Sequence, residues 1–251
     1  MKKLLNNLFQ RVEYFLEDLL AFISVPDCPG CGVTLENPRL PLCSDCDNDL
    51  RKTFSGDGPV CLFCRYFATR ECTCNNDKPL PVPQLFYWGN YNDVVREIIH
   101  RFKFDGQYKI GRHITEIALD ALNERIYNLK LDFIIPVPML KKDKIKRGFN
   151  QTDIIADVVS QRLNIPIEPK LLRKVKETKP QSKLGANERW QNVKDAFAVD
   201  NGERLKGCSL LLVDDIVTTG ATSWESTKAL YKAGAKDVTV FSLVSNNIST
   251  L

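Results

Sequence analysis

This 251-residue sequence lacks long apolar stretches and contains only two histidines. No stretch reaches the 18 or more uninterrupted apolar residues of a membrane span, so no transmembrane helix is predicted. Lys2 and Lys3 open the chain as in a signal peptide, but polar and charged residues from Asn6 to Asp18 interrupt every candidate hydrophobic core, and no small-residue cleavage site follows. We therefore expect a cytoplasmic protein.

The two histidines, His100 and His113, fall in different segments without a third partner, so neither is predicted to act in catalysis. A lysine is also missing after Gly220, where a Walker phosphate loop would need Gly-Lys-Ser/Thr. The composition is otherwise that of an ordinary globular protein, with 43% hydrophobic residues, 26% charged residues and a net charge of +4. A chain of this length can form one large domain and one small one.

Cysteine, in contrast, is abundant, and eight of the nine cysteines form close pairs before residue 75. Because disulfides are rare in the cytoplasm, four pairs with short internal gaps predict structural Zn²⁺, one or two ions, each held by four thiolates. Sequential grouping would use Cys28, Cys31, Cys43 and Cys46 for one ion and Cys61, Cys64, Cys72 and Cys74 for the other. Interleaved grouping is the alternative. Cys208 stands alone and is predicted to be a small core residue.

Three domains are predicted along the chain. Residues 1–27 carry apolar residues at helical spacing and form an amphipathic helix, which either packs on its own domain or docks onto a partner protein or membrane surface. Residues 28–78 form the cysteine-rich, zinc-binding domain. Three prolines in residues 75–83 mark a linker, and residues 84–251 form the largest domain.

The chemistry is concentrated in residues 210–226, LLLVDDIVTTGATSWES. An apolar strand from Leu210 to Asp215 leads into a bend that contains hydroxyl residues and glycine. Thr222 and Glu225 form a capping-box pattern, which predicts that a helix starts at Thr222. In a parallel sheet this bend lies at the carboxyl end of a strand, where such sheets bind ligands.

The bend can hold a phosphate group, because successive backbone N–H groups and the dipole of the following helix can wrap an anion. These N–H groups belong to Val217, Thr218, Thr219, Gly220 and Ala221. Asp214 and Asp215 repel phosphate and instead suit sugar hydroxyls or a phosphate-bound metal ion. The combination indicates a ribose 5-phosphate site. A phosphoacceptor receiver domain begins similarly but needs roughly a hundred further residues, and only 36 follow Asp215.

Strands and helices alternate around this site. Strands are predicted at 85–91, 132–138, 196–199, 209–214 and 237–244, and helices from residue 92, across 110–126, after residue 151 and across 222–233. This alternation predicts an α/β fold with a parallel sheet and flanking helices. Lys103 falls just beyond the first of these helices, either as a solvated helix-end cation or as a side chain that points into the site.

Basic residues are concentrated after the strand at 132–138. Residues 141–194 hold 14 Lys or Arg and 6 Asp or Glu, which favours a polyanion, either a pyrophosphate-bearing sugar or a nucleic-acid backbone. The five cations between Lys141 and Arg147 are predicted to lie in a loop that binds pyrophosphate or is merely solvated. Residues 173–192 lack periodicity and are predicted to be a lid, with disorder as the alternative.

Taken together, the paired cysteines, PVP followed by RGFNQ, the lid residues Thr178, Gln181, Arg189 and Asn192, and the loop VDDIVTTGAT resemble the ComF family of phosphoribosyltransferase-like proteins. The resemblance covers nearly the whole chain from Cys28 onward. It implies a type I phosphoribosyltransferase core, an N-terminal region similar to a double zinc ribbon, and binding of phosphoribosyl pyrophosphate with Mg²⁺.

The resemblance also implies roles for individual residues. Asp214 and Asp215 would hold the ribose 2′- and 3′-hydroxyls, and the loop from Val217 to Thr222 would hold the 5′-phosphate. The pyrophosphate would meet a loop and a lid that contain Pro138, Met139, Lys141, Arg147, Gln151, Gln181, Lys183 and Arg189. The candidate catalytic residues are Asp214, Asp215 and Arg189.

Two hypotheses about function follow. In the first, an enzyme acting in competence, the uptake of DNA for natural transformation, transfers a phosphoribosyl group from phosphoribosyl pyrophosphate to an unknown acceptor. In the second, a non-catalytic module binds single-stranded DNA through the basic surface around the site, with Tyr66, Phe67 and Phe149 stacking on bases. Proteins of the competence machinery are expected partners under both hypotheses.

Overall fold

The computed structural model describes residues 25–37, 39–53, 59–65, 73–74, 78, 80–90, 93–104, 107–122, 124–179 and 184–245. The predicted N-terminal helix up to residue 24 lies outside this range, as do Tyr66, Phe67, Cys72, Gln181 and Lys183. The chain divides into two compact units, Met1–Lys52 and Thr53–Leu251. None of the helices within the described residues has the length and apolar character that crossing a bilayer requires.

Within the described residues, the smaller unit contains a short loop followed by helix α1 (Ser44–Lys52). An antiparallel bridge joins Asp27 to Thr34, and the Thr34 hydroxyl donates a hydrogen bond to the Asp27 carboxylate at 2.9 Å. Acidic residues in the first turn of α1 and basic residues in its last turn complement the helix dipole.

The larger unit contains the sheet. Its strands, in chain order, are β1 (Val60–Cys61), β2 (Gln84–Asn90), β3 (Phe133–Pro136), β4 (Leu172–Lys174), β5 (Phe197–Val199), β6 (Ser209–Val217) and β7 (Asp237–Ser245). The main sheet has the order β1-β2-β7-β6-β3, in which β1 is antiparallel to β2 and all other neighbours are parallel. Strands β4 and β5 form a separate antiparallel pair. The predicted α/β class with a mainly parallel sheet is confirmed.

Among the described residues, the helices of the larger unit are α2 (Asp93–Phe104), α3 (Tyr108–Leu122), α4 (Glu124–Tyr127), α5 (Lys141–Arg147), α6 (Gln151–Leu163), α7 (Ala186–Val193) and α8 (Ala221–Lys232). Four consecutive residues of β6, from Leu210 to Val213, are fully buried, as expected for a strand that is covered on both faces. Helices α3 and α6 pack against each other and against the sheet, while Trp224 and Leu230 of α8 share a core with β4 and β5.

The chain leaves β3 and β6 in opposite directions. From β3 the chain runs through α6 to Ile167, which bridges Ile134 in parallel, whereas from β6 it runs through α8 to β7 on the opposite side. The two connections leave in opposite directions, so the carboxyl ends of β3 and β6 flank a topological switch point, where open α/β sheets bind ligands.

Two segments that were predicted to be irregular contain regular structure. Residues 141–147 form helix α5 instead of a loop, because lysine, isoleucine and arginine are adequate helix formers and Gly148, at φ 87°, terminates the helix with its N–H on the Lys144 carbonyl. The predicted long lid includes strand β4 and helix α7, elements too short for a periodic pattern to reveal. Strand β5 was expected to belong to the main sheet, but it pairs with β4 instead.

Helix α2 extends further than expected. It runs to Phe104, so Lys103 lies in its last turn and not beyond it. Helices α2 and α3 approach closely at Gly111, because a Cβ atom there would lie 2.2 Å from the ring of Phe102. This close contact helps to fix the end of α2, and with it Lys103, relative to the sheet.

Candidate functional site

The bend between β6 and α8 lies at the carboxyl end of the sheet. Strand β6 extends through Val217, which pairs with Ser245 of β7, so the bend itself consists of residues 218–220. Gly220 has φ 81°, and a Cβ atom at this position would lie 3.2 Å from the Leu62 carbonyl oxygen. A side chain is therefore disfavoured at Gly220 for two reasons, backbone strain and lack of space.

The predicted capping box at Thr222 and Glu225 is wrong. The helix begins at Ala221 with Gly220 as N-cap, and no side chain caps it. Glu225 is buried and instead accepts a hydrogen bond from the Asp195 N–H at 3.1 Å and pairs with Lys228 at 2.7 Å. The first turn of α8 carries no acidic residue, so its N-terminal amides and the helix dipole favour an anion.

Asp214 is buried, with its carboxylate held against the start of α8. Ser223 donates its hydroxyl to Asp214 Oδ2 at 3.0 Å, and the Asp215 N–H donates to Oδ1 at 3.0 Å. Burial, followed by the charge of Asp215, raises the pKa of the Asp214 carboxyl to about 7, although both hydrogen bonds act to lower it. The side chain thus has a fixed position between strand and helix.

Asp215 forms an ion pair with Lys103, whose Nζ lies 2.8 Å from Asp215 Oδ2. Of the two alternatives for Lys103, the structure has the side chain at the site. The carboxyl end of β6 therefore carries two adjacent acids and one cation from the end of α2. This set can contact both the hydroxyls of a sugar and the oxygens of an attached phosphate.

The RGFNQ segment supports the neighbouring loop after β3. Asn150 donates its amide to the Val137 carbonyl at 3.2 Å, and Thr152 donates its hydroxyl to the same carbonyl at 2.7 Å. The Val137 N–H in turn donates to the Val213 carbonyl at 2.9 Å. The loop that contains Pro138 and Met139, both half-buried, is thereby anchored beside the acids of β6.

The predicted pyrophosphate residues Arg147 and Gln151 form a chain of hydrogen bonds. Arg147 donates to Gln151 Oε1 at 2.8 Å, and Gln151 donates its amide to the Lys103 carbonyl at 3.1 Å. Gln151 is buried and so supports the end of α2, while Lys141 is exposed at the start of α5. Phe149 packs on Phe102 at a ring-centroid distance of 6.1 Å, which does not favour it as a stacking platform for bases.

The described part of the lid is tied together internally. Asn192 exchanges two hydrogen bonds of 2.9 Å with the backbone of Lys179, and the Arg189 Nε donates to the Leu184 carbonyl at 3.0 Å. Lys174 of β4 donates to the Thr178 hydroxyl at 2.7 Å. These contacts order both ends of the segment whose centre, with Gln181 and Lys183, lies outside the described residues.

The first cysteine set, Cys28, Cys31, Cys43 and Cys46, has all of its sulfur atoms within 4.8 Å of one another. Cys31 Sγ and Cys43 Sγ lie 3.7 Å apart, and a tetrahedron with Zn–S bonds of about 2.3 Å has edges of about 3.8 Å. The Cys43 N–H also points at Cys28 Sγ at 3.4 Å, a contact that stabilises a thiolate. These four residues fit a Zn²⁺ ion.

The second set contains Cys61, Cys64 and Cys74 within the same distance limit of 4.8 Å. The predicted fourth ligand, Cys72, lies outside the described residues. The grouping in both sets is thus sequential and not interleaved. Because Cys61 ends β1, the second set is attached to the edge of the main sheet through β2.

Three residues near the site were missed by the sequence analysis. Leu62 and Arg65, within or beside the Cys61–Cys64 turn, contact the bend, with the Arg65 Nη2 donating to the Thr218 carbonyl at 2.9 Å. Lys174 is partly buried, and burial lowers its pKa while the charges of Asp143 and Asp214 oppose that shift. All three reach the site through tertiary contacts, and no local pattern in the sequence announces them.

No protein-family model matches the chain. The chain is 33% identical to competence protein F of Haemophilus influenzae over 225 residues, which covers 86% of this chain and 95% of the relative. It is 29% identical to DNA utilization protein YhgH of Escherichia coli K12, covering 88% and 98%. It is 28% identical to competence protein ComFC of Streptococcus pneumoniae, covering 84% and 90%.

Among solved structures, the chain aligns with adenine phosphoribosyltransferase from Saccharomyces cerevisiae at 13% identity and a TM-score of 0.39, with 80% of this chain and 89% of that chain covered. Orotate phosphoribosyltransferase from Aeropyrum pernix aligns at 19% identity and a TM-score of 0.34, with 62% and 66% covered.

Proposed function

The chain belongs to the ComF family of competence proteins, and from that premise we propose that it binds phosphoribosyl pyrophosphate with Mg²⁺ as part of the handling of DNA during natural transformation. The role in DNA handling rests on relatives that carry the names competence protein F and DNA utilization protein. The ligand rests on the site itself, and above all on Asp214 and Asp215 near the end of the strand that leads through a short bend into the start of α8.

The proposed ligand fits this end of β6 group by group. Its 5′-phosphate would lie against the amides of residues 218–222, where the helix dipole is positive and the first turn of α8 carries no acid. The ribose hydroxyls would donate to Asp214 and Asp215, whose carboxylates accept hydrogen bonds and repel the phosphate. In this proposal the acids hold the sugar hydroxyls and the amides of the bend hold the phosphate.

The pyrophosphate needs cations, and in this proposal several elements supply them. Lys103 lies at the end of α2, Lys141 and Arg147 at the two ends of α5, and Arg189 on α7. Mg²⁺ would supply further charge neutralisation on the pyrophosphate oxygens. In this proposal Lys103 shifts from Asp215 toward the pyrophosphate when the sugar arrives, which frees the Asp215 carboxylate for a ribose hydroxyl.

The proposed reaction is the transfer of the phosphoribosyl group to an acceptor. The bond from C1 of the ribose to the pyrophosphate oxygen breaks, its electron pair leaves with the pyrophosphate, and a nucleophilic atom of the acceptor forms the new bond to C1. Positive charge develops on the ribose in between, so two oriented carboxylates and cations around the leaving group can supply the catalysis without a protein nucleophile.

Calorimetric titration with phosphoribosyl pyrophosphate and Mg²⁺ tests the binding proposal. The double variant Asp214→Asn/Asp215→Asn should abolish binding, whereas Asp120→Asn/Asp157→Asn, which removes two acids from exposed ion pairs with arginine, should bind as the wild type does. Unchanged affinity in the first variant would contradict the proposal. Pyrophosphate release with a panel of bases and amines then tests transfer.

A second candidate function, binding of single-stranded DNA, is favoured by the exposed basic surface of α5. Lys142 and Lys146 are both exposed there. If these lysines neutralise phosphates of single-stranded DNA, the DNA affinity of the variant Lys142→Ala/Lys146→Ala should depend less steeply on salt than that of the wild type. The slope of log affinity against log salt should become shallower by roughly 0.7 for each phosphate that the variant leaves unneutralised. A DNA affinity that does not change with salt would contradict this function.

A further inference from the structure

We propose that Arg65 is a positioning residue that fixes the phosphate-binding bend, and that the metal-binding turn which carries Arg65 makes this bend depend on the second cysteine set. The inference deepens the proposed function, because it rests on the bend as the site of the sugar phosphate.

Of the three Cys-x-x-Cys motifs in the chain, those at Cys28–Cys31 and Cys61–Cys64 form turns with the same backbone hydrogen bond and a residue of positive φ after the last cysteine. In the first, the N–H of Gly32 donates to the Cys28 carbonyl at 2.8 Å, and Gly32 has φ 77°. In the second, the N–H of Arg65 donates to the Cys61 carbonyl at 3.1 Å, and Arg65 has φ 60°. Glycine adopts this left-handed conformation without strain, whereas arginine does not. The presence of arginine at this strained position is therefore explained if the Arg65 side chain makes contacts that glycine could not make.

The guanidinium of Arg65 spans the carboxyl ends of β6 and β7. Nη2 donates to the Thr218 carbonyl at 2.9 Å, and Nε donates to the Ser245 hydroxyl at 2.9 Å. Because a peptide bond is planar and trans, holding the Thr218 carbonyl also sets the direction of the Thr219 N–H, which points away from Arg65. The Thr219 N–H is one of the amides assigned to the phosphate.

The same turn touches the bend and its helix at two further points. Leu62 is buried in the core and leaves no room for a side chain at Gly220. The ring of Phe63 packs edge-on against Trp224 of α8, with centroids 5.1 Å apart. Leu62 and Arg65 thus contact the bend and Phe63 contacts the helix that follows it, so we expect a change in this turn to displace the bend.

Metal at the second set would lock the turn. The Phe63 N–H points at Cys61 Sγ at 3.4 Å, the same type of contact as in the first set. Arg65 Nη1 is buried and has no hydrogen-bond partner among the residues that the structure describes. A cluster of thiolates around Zn²⁺ carries net negative charge beside this guanidinium. The thiolate cluster would therefore attract the positive charge of Arg65. Without the metal, the turn loses its cross-link and Arg65 loses its fixed base.

The variant Arg65→Gly separates the side chain from the backbone, because glycine suits the left-handed position. We expect unchanged zinc content, about tenfold faster hydrogen exchange at the amides of residues 219–221, and about tenfold weaker binding of ribose 5-phosphate. Asn164→Gly, which replaces another residue at positive φ, 56°, is the matched control and should change none of these. Arg65→Lys, which cannot reproduce the planar fork, should bind at an intermediate affinity.

The dependence on metal is tested with Cys64→Ser, which should remove one zinc ion and accelerate exchange at residues 219–221 more than Cys31→Ser does. Unchanged exchange in both Arg65→Gly and Cys64→Ser would overturn the inference. Loss of the second zinc in Arg65→Gly would also overturn it, because the side chain would then serve the turn alone. If the wild type binds no ribose 5-phosphate, the proposed function fails, and the exchange data still decide whether Arg65 positions the bend.

Discussion

Lys103 Nζ lies 2.8 Å from Asp215 Oδ2, and the two side chains are only 20% and 16% exposed. This ion pair joins the end of α2 to the end of β6 at a point where Asp214 places a second carboxyl. The pair therefore balances charge in a crowded, poorly hydrated part of the site, and its strength can be measured.

Lys103→Met should destabilise the protein by about 1–3 kcal/mol, because it leaves the Asp215 carboxylate without its cation beside Asp214. Lys103→Met/Asp215→Asn should recover most of this loss. A double-mutant cycle by urea unfolding gives the coupling energy. The exposed pair Lys52–Asp49, at 3.5 Å, is the control and should couple by less than about 0.5 kcal/mol. Equal coupling in the two pairs would contradict the expectation.

Asp214→Asn should stabilise the protein at alkaline pH. The pKa of Asp214 is raised to about 7 in the folded chain, whereas an unfolded Asp has a pKa of about 3.9. Between about pH 4 and pH 7 the folded state binds the Asp214 proton more tightly than the unfolded state does. This proton binding stabilises the fold fully below about pH 4, and the stabilisation is lost as pH rises through about 7. Above this pH the folded protein must bury an ionised carboxylate, which costs stability, whereas Asn stays uncharged.

Thermal unfolding at pH 4.5 and pH 8 measures this effect. The melting temperature of Asp214→Asn relative to wild type should rise by several degrees between the two pH values. The exposed control Asp120→Asn should show no such trend. A constant difference between Asp214→Asn and wild type across this range would show that burial does not perturb Asp214.

Gly220→Ala should reduce both stability and ligand binding. The alanine Cβ would lie 3.2 Å from the Leu62 carbonyl oxygen. The alanine would also have to adopt the left-handed backbone conformation, which strains any residue with a side chain. Gly207→Ala is the matched control, since Gly207 has φ 73° and nothing lies within 4 Å of its Cβ position. The control should lose about 1 kcal/mol from strain alone, and Gly220→Ala should lose more, together with affinity for ribose 5-phosphate. Equal losses of stability in the two variants would mean that Leu62 moves aside at little cost and does not restrict residue 220.

Zinc analysis of the purified protein should find two ions per chain, and Cys46→Ser and Cys74→Ser should each remove one. The two variants should differ in their effects, because Cys46 lies in the smaller unit and Cys74 in the larger one. Limited proteolysis should therefore cut Cys46→Ser first within residues 25–52. One ion in the wild type would contradict the second site.

Local spacing explains what could be predicted from the sequence. The strand and paired acids at 209–215 and the two sets of cysteines depend on neighbours in the chain, so their patterns carried enough information. The spacing left the grouping of the cysteines open, and the structure has the sequential one. The capping box failed because Glu225 found stronger partners in Lys228 and the Asp195 backbone, neither of which a four-residue pattern includes.

Long-range contacts explain what was missed. Arg65 and Thr218 are separated by 153 positions in the chain, yet their side chain and carbonyl meet. Lys174 lies in a three-residue strand, which is too short for alternation to be recognised. The pairing of β4 with β5, and not with the main sheet, depends on how the lid folds back, which periodicity does not encode.

The pairing of β1 with β2 has a practical consequence for anyone who wishes to cut this protein into pieces. The prolines before residue 84 invite truncation there, but such a fragment would lose Leu62 and bare the outer backbone of a hydrophobic edge strand, a common cause of aggregation. A fragment that starts at Thr53 keeps that edge protected and follows the natural seam of the chain.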